Sequence, residues 1–162
     1  MIRAAILRWA RNRQPDFVIG GHERPYLRRH WLLPRNRFFN VYVHEFLRSD
    51  DDRALHDHPW LFNASWIIDG NYIEWVPGSG CSYEHPEFKF LRSGDFKFRW
   101  GNAPHRVQLH SSPPQGERPC WTVFITGPRV RQWGFFCPQG WMHWERFTAA
   151  DDPGAVGKGC DA

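Results

Sequence analysis

The sequence predicts an all-β domain, a sandwich or barrel of short strands. Three observations carry that prediction. Aromatic residues make up 17% of the chain, with ten Trp, thirteen Phe and four Tyr, and aromatics fit the pleated, half-buried surface of a strand. Thirteen Pro and fourteen Gly supply turns at short intervals. From Phe38 onward, short apolar segments recur at roughly ten-residue spacing with no helical stretch between them. At 162 residues the chain has the length of one domain and can bury a core of its own.

The elements follow in order. Over Met1–Arg13, Ile2, Ala5, Ile6 and Trp9 share one helical face, which predicts a short amphipathic helix ended by Pro15. Residues 15–37 read as irregular, punctuated by Gly20-Gly21, Pro25 and Pro34. Phe17, Tyr26, Trp31 and Leu32 are expected to pin this arm to the domain. Phe39–Leu47 alternates with a period of two and reads as a strand. Trp60–Ile68 and Asn71–Val76 read as a hairpin turned at Asp69-Gly70. Phe88–Leu91, Phe96–Trp100, Val107–His110, Cys120–Thr126, Gln132–Cys137 and Trp141–Phe147 complete the strands. The expected organisation is a basic N-terminal arm (1–37), a β-barrel (38–147) and a small, polar, flexible tail (148–162).

Charge is uneven. The net charge is +4, yet residues 1–37 alone carry nine Arg against Asp16 and Glu23, and the remainder is slightly acidic. A basic arm can touch phosphate or pack on an acidic body. No apolar run approaches a membrane span, so no membrane partner is expected. The N-terminus is studded with Arg3, Arg8, Arg11 and Arg13, unlike a signal peptide, and a cytoplasmic location is expected. Cys81, Cys120, Cys137 and Cys160 show no paired spacing and read as free thiols. Asp50-Asp51-Asp52 reads as a solvated loop.

The chemistry concentrates in Leu55-His56-Asp57-His58-Pro59-Trp60. On extended backbone, residues two apart share a face, so two imidazoles can converge on one ion; on a helix the same spacing would separate them. Pro59 biases His58 away from helix. A third imidazole must come from elsewhere, with His105, His44, His110 and His143 as candidates.

Here the chain resembles the cupin superfamily, whose motifs read G-x5-HxH-x3-4-E-x6-G and G-x5-PxG-x2-H-x3-N. His56-x-His58 is followed after four residues by Asn63 and after six more by Gly70, and Gly94 lies eleven residues before His105. The departures are Asp50 in the leading glycine slot, Asn63 in the glutamate slot, Trp100 and Asn102 in the PxG positions, and Leu109 in the final asparagine slot. The resemblance implies a double-stranded β-helix, or jelly-roll, barrel with His56, His58 and His105 as metal ligands. This is similar to the three-histidine site of thiol-dioxygenase-like cupins. It also implies that the barrel can pair as a homodimer.

Three imidazoles add no ligand charge, so a divalent ion keeps its full +2, which suits an anionic substrate or activated water. Imidazole accepts several metals; Fe2+ is favoured, with Zn2+, Ni2+ and Mn2+ as alternatives. Tyr72 and Glu74 share a strand face beside the first motif. If that face is inward, Tyr72 orients substrate and Glu74 replaces the missing carboxylate. Substrate is expected to enter past Trp60, Trp66 and Trp100. The leading expectation is a metal-dependent enzyme, dioxygenase- or isomerase-like, acting on a small molecule. The alternatives are a non-catalytic small-molecule-binding or sensing cupin and, ranked lowest, a nucleic-acid-associated protein using the arm.

Overall fold

The first apolar stripe forms α1 (Ile2–Arg11), which buries Ala10 and packs Ile6 and Leu7 against Val43, Ile68, Trp121 and Val123. Two of its cations reach beyond the helix: Arg11 pairs with Asp69 at 2.8 Å and Arg3 donates to Ser93 Oγ at 2.8 Å. The structure, a computed structural model, describes every residue except His22, 51–53, Cys81, 152–154 and Ala162. Two residues of the Asp50–Asp52 run, and Cys81, therefore lie outside the described residues.

The strands are β1 (Phe17–Ile19), β2 (Leu27–Trp31), β3 (Asn40–Phe46), β4 (Leu55–His56), β5 (Phe62–Asp69), β6 (Asn71–Gly78), β7 (Ser82–Arg92), β8 (Phe96–Trp100), β9 (Arg106–Leu109), β10 (Ser111–Ser112), β11 (Gly116–Glu117), β12 (Cys120–Thr126), β13 (Gly134–Cys137) and β14 (Gly140–His143). One turn of helix, α2 (Trp144–Phe147), follows. A six-stranded antiparallel sheet has the order β1-β2-β3-β12-β5-β8. Two three-stranded sheets, β7-β6-β9 and β14-β13-β4, and the ribbon β10-β11 make up the rest.

The core is layered. α1 covers the outer face of the large sheet through Val43, Ile68, Trp121 and Val123. On the inner side, Ile67 of β5 meets Tyr72, Val107 and Leu109 of the facing sheet. A third cluster, Phe135, Cys137, Met142 and Phe147, lies under β13, β14 and α2. Two facing sheets with sequence-distant strands as neighbours are the double-stranded β-helix arrangement.

The structure corrects several expectations. Among the described residues no sheet closes on itself, so the strands form facing sheets and not a continuously hydrogen-bonded barrel. β5 and β6 do not form a hairpin, because β5 lies between β12 and β8 and β6 lies between β7 and β9. Asp69-Gly70 is instead a corner that carries the chain from one sheet to the other. Gly70 has φ 78°, and a Cβ there would stand 2.7 Å from the Pro119 carbonyl oxygen. Residues 15–37 are not wholly irregular: β1 and β2 extend the large sheet beside β3. Leu-Arg-Arg-His-Trp lacks apolar alternation, so the strand was not visible by pattern. Trp141–Phe147 splits into β14 and α2, where His143 is the N-cap and accepts from the Glu145 N–H at 3.4 Å.

The cysteines are not all free. Cys137 and Cys160 form a disulfide across a Cα separation of 5.4 Å, while Cys120 is free and buried. The tail is also held by Ala149 N–H to Ala155 O and Gly157 N–H to Phe147 O, both at 3.0 Å. Among the described residues no helix is long and apolar enough to cross a membrane.

Gly101 joins the end of β8 to the segment before β5. It accepts from the His58 N–H at 2.8 Å and donates to Leu61 O at 3.0 Å. A Cβ at Gly101 would fall 1.6 Å from the Trp60 carbonyl oxygen. Gly101→Ala is therefore expected to destabilise the fold by on the order of 3 kcal/mol, read as a lowered midpoint in urea unfolding.

Candidate metal centre

β4 is short, but it sets the direction of the histidine pair. His56 and His58 turn their rings together, with centroids 5.2 Å apart. Asp57 between them points the other way and is buried, accepting from Arg131 Nη1 at 2.7 Å and from the Gly134 N–H at 2.8 Å. This alternation is the period-two geometry of extended chain. His105 arrives from the end of the β8–β9 connection. Its backbone and that of His56 exchange two hydrogen bonds, each 2.9 Å, in an isolated antiparallel bridge.

The three imidazoles converge. One ring nitrogen from each of His56, His58 and His105 lies within 4.8 Å of the others, and His58 Nε2 stands 2.8 Å from His105 Nε2. His105 is buried; His56 and His58 are half-buried. Behind His105, Nδ1 meets Glu74 Oε1 at 3.0 Å. An ionised carboxylate can only accept, so His105 Nδ1 carries the hydrogen and Nε2 presents its lone pair inward.

Glu74 is fully buried and also accepts from Arg99, itself buried on β8. Burial alone would raise its pKa, but the hydrogen bond from His105 and the Arg99 charge hold it at about 2. Burial lowers all three histidines. His56 falls to about 4 despite the opposing pull of Asp50, whose Oδ2 is 4.0 Å from its Nδ1. His58 falls well below its ordinary value through burial and its two histidine neighbours, and His105 is lowered by burial and by Arg99. Three neutral imidazoles around one point, one of them oriented by a buried carboxylate, fit the donor set of a divalent transition metal.

Other expected residues are distributed as follows. Tyr72 is buried, lines the cavity in front of the cluster and accepts from Arg99 Nη2 at 3.3 Å. Glu74 lies outside the three-histidine group and sits behind His105, with Oε1 3.0 Å from its Nδ1. Asn63 is fully buried, and neither amide atom has a protein partner among the described residues. Arg106 turns away and stacks over Trp75 at 5.4 Å. Trp60 lines the cavity, but Trp66 packs with the α1 cluster and Trp100 is exposed.

Sequence reasoning missed Arg99 and Asp50. β8 alternates against habit, with Phe96, Phe98 and Trp100 exposed and Arg99 buried, so the charged positions were the inward signal. Asp50 accepts from the Tyr26 hydroxyl and, at 2.7 Å, from the Val107 N–H.

No protein-family model matches the sequence, and no curated protein matches it. Solved structures do. An Fe(II) form of HppE in complex with substrate matches at 16% identity over 71% of this chain and 57% of that chain, with a TM-score of 0.51. The lyase DddQ from Ruegeria pomeroyi DSS-3, described as acting on DMSP, matches at 16% identity over 80% of this chain and 61% of that chain, with a TM-score of 0.51. The chain thus spans about three fifths of the length of these two proteins. Both are of cupin type. The chain has the cupin fold.

Two outcomes are expected. Glu74→Gln leaves Arg99 buried without its counter-charge and should cost about 3–5 kcal/mol. In a double-mutant cycle with Arg99→Gln, urea unfolding should show the pair costing less than the sum of the singles. Second, the histidines bind protons more weakly folded than unfolded, so stability is full above pH 6.5 and is lost as pH falls. His56 alone, lowered to about 4, accounts for on the order of 3 kcal/mol. Urea midpoints of chelator-treated protein should drop between pH 7 and pH 4.5, and less so in His56→Gln.

Proposed function

We propose that this protein is a mononuclear metal-dependent cupin enzyme, of dioxygenase or isomerase type, acting on a small molecule. The observation that carries the reading is the convergence of His56, His58 and His105 at the wall of a cavity of about 760 Å³. These three residues would hold the ion, with Fe2+ favoured; an HppE structure on this fold is an Fe(II) form in complex with substrate. When bound, such an ion supplies an uncompensated positive charge and open coordination positions.

The chain's own residues do the rest. Glu74 fixes the tautomer and aim of His105. Arg99 keeps Glu74 ionised and fills one side of the Tyr72 hydroxyl. Tyr72 keeps its proton, since burial raises it to about 12, and so offers a neutral hydroxyl to substrate. Trp60 and Phe124 give the cavity an apolar side next to the histidine cluster.

The test is elemental analysis of protein purified with and without added Fe(II), beside a His56→Ala/His105→Ala double variant. One ion per chain, lost in the double variant while the fold persists by circular dichroism, is the expected result. Wild-type protein that holds no metal and takes up none of Fe2+, Mn2+, Ni2+ or Zn2+ would turn the reading to a non-catalytic binding module.

A further inference from the structure

The two faces of β2 and β3 treat neighbouring arginines differently. On the outward face, Arg28 sits opposite Glu45 and pairs with it at 3.2 Å. One residue on, facing the cavity, Arg29 sits opposite His44 and donates from Nε to His44 Nε2 at 2.9 Å. A nitrogen that accepts from a guanidinium is unprotonated, so His44 is neutral here; burial holds it well below its ordinary pKa. Arg29 therefore faces an imidazole where Arg28 faces a carboxylate.

Among the described residues no carboxylate lies within ion-pairing distance of Arg29, and its side chain makes the one hydrogen bond from Nε to His44, with none from either Nη nitrogen. The guanidinium lies over the Tyr42 ring at 4.8 Å. Burial costs it enough to bring its pKa down to about 10. The surroundings add to the imbalance. Arg35, Arg37 and Arg129 also line the cavity, and among the described residues the one carboxylate lining it is Asp50, which already accepts from Tyr26 and Val107. A half-buried fork whose terminal donors no described residue occupies matches an oxyanion.

Arg29 is also connected to the histidine cluster by a run of rings. His44 stacks on Phe124 at 4.8 Å, and Phe124 lies 6.3 Å from His58 and 5.6 Å from Trp60. An apolar strip thus runs from the guanidinium to the cluster. We propose that Arg29 anchors the oxyanion head of a small organic acid, whose apolar body lies along Phe124 and Trp60 with its far end at His58. The inference rests on reading this cavity as the substrate site. It assigns Arg29 as a binding residue and the substrate class as an acid with a short apolar or aromatic body.

The test uses three probes of one shape: 3-phenylpropionate, 2-phenylethylphosphonate and the neutral 3-phenylpropionamide. Binding is followed by tryptophan fluorescence and calorimetry, on protein with and without added Fe(II). At least one acid should bind about tenfold or more tighter than the amide. The carboxylate and phosphonate arms tell which oxyanion the fork prefers. Arg29→Gln should weaken the acid about tenfold or more and leave the amide and the metal content unchanged, and Arg28→Gln should change neither. Equal binding of acids and amide by the wild type, or undiminished acid binding by Arg29→Gln, overturns the proposal. The wild-type comparison decides even where the variant fails to fold. The His56→Ala/His105→Ala protein keeps the two readings apart: it should hold no metal and still prefer acid to amide.

Discussion

Glu74 is an ionised carboxylate with no exposed surface, and three parts of the chain must meet to make that tolerable. β6 supplies the carboxylate, β8 supplies Arg99, and the β8–β9 connection supplies His105. Lys97 adds a weaker charge at 3.9 Å. A buried charge left alone is expensive, so the two sheets cannot separate or slip without stranding one partner. The same contact fixes how His105 is turned. One interaction therefore sets the relation between the facing sheets and the aim of an imidazole in the cluster.

The cavity in front of this contact has chemically distinct ends. One carries three neutral imidazoles and the Tyr72 hydroxyl; the other carries Arg29 against a neutral His44. Aromatic rings connect them, with Phe124 in contact with both His44 and His58. A pocket with a few polar groups at its ends and an apolar middle orients a ligand as well as holding it. The large sheet provides most of this asymmetry, since Arg29, His44 and Phe124 come from three adjacent strands, β2, β3 and β12.

Much of this was legible in the sequence. The His-x-His pair, the extended backbone that Pro59 favours, and the distance from Gly94 to His105 point to the three histidines that cluster in the fold. The all-β class followed from aromatics and turns. What stayed hidden depended on tertiary partners. Gly70 carries the same local signal whether it turns a hairpin or a corner; the occupied edges of β5 and β6 decide between them. Glu74 was noticed, but its role depends on Arg99, a residue on a strand whose exposed aromatics make the pattern look inverted. β2 was missed because its inward residues are Leu27, Arg29 and Trp31, with a cation at the middle position. Cys137 and Cys160 have no sequence signature as a pair, since only proximity in the fold joins them.

The paired backbone hydrogen bonds between His56 and His105 bear on the order of folding. Those residues belong to segments far apart in the chain, and loop closure must come before their contact can form. The cluster therefore has no local precursor: His56 and His58 are two residues apart, but the third imidazole and its Glu74 support come only with long-range docking. A nascent or partly unfolded chain presents the His56-x-His58 pair without its third nitrogen. The complete three-nitrogen set is a late property of the folded domain, and an ion that binds it would stabilise the native state over every earlier one.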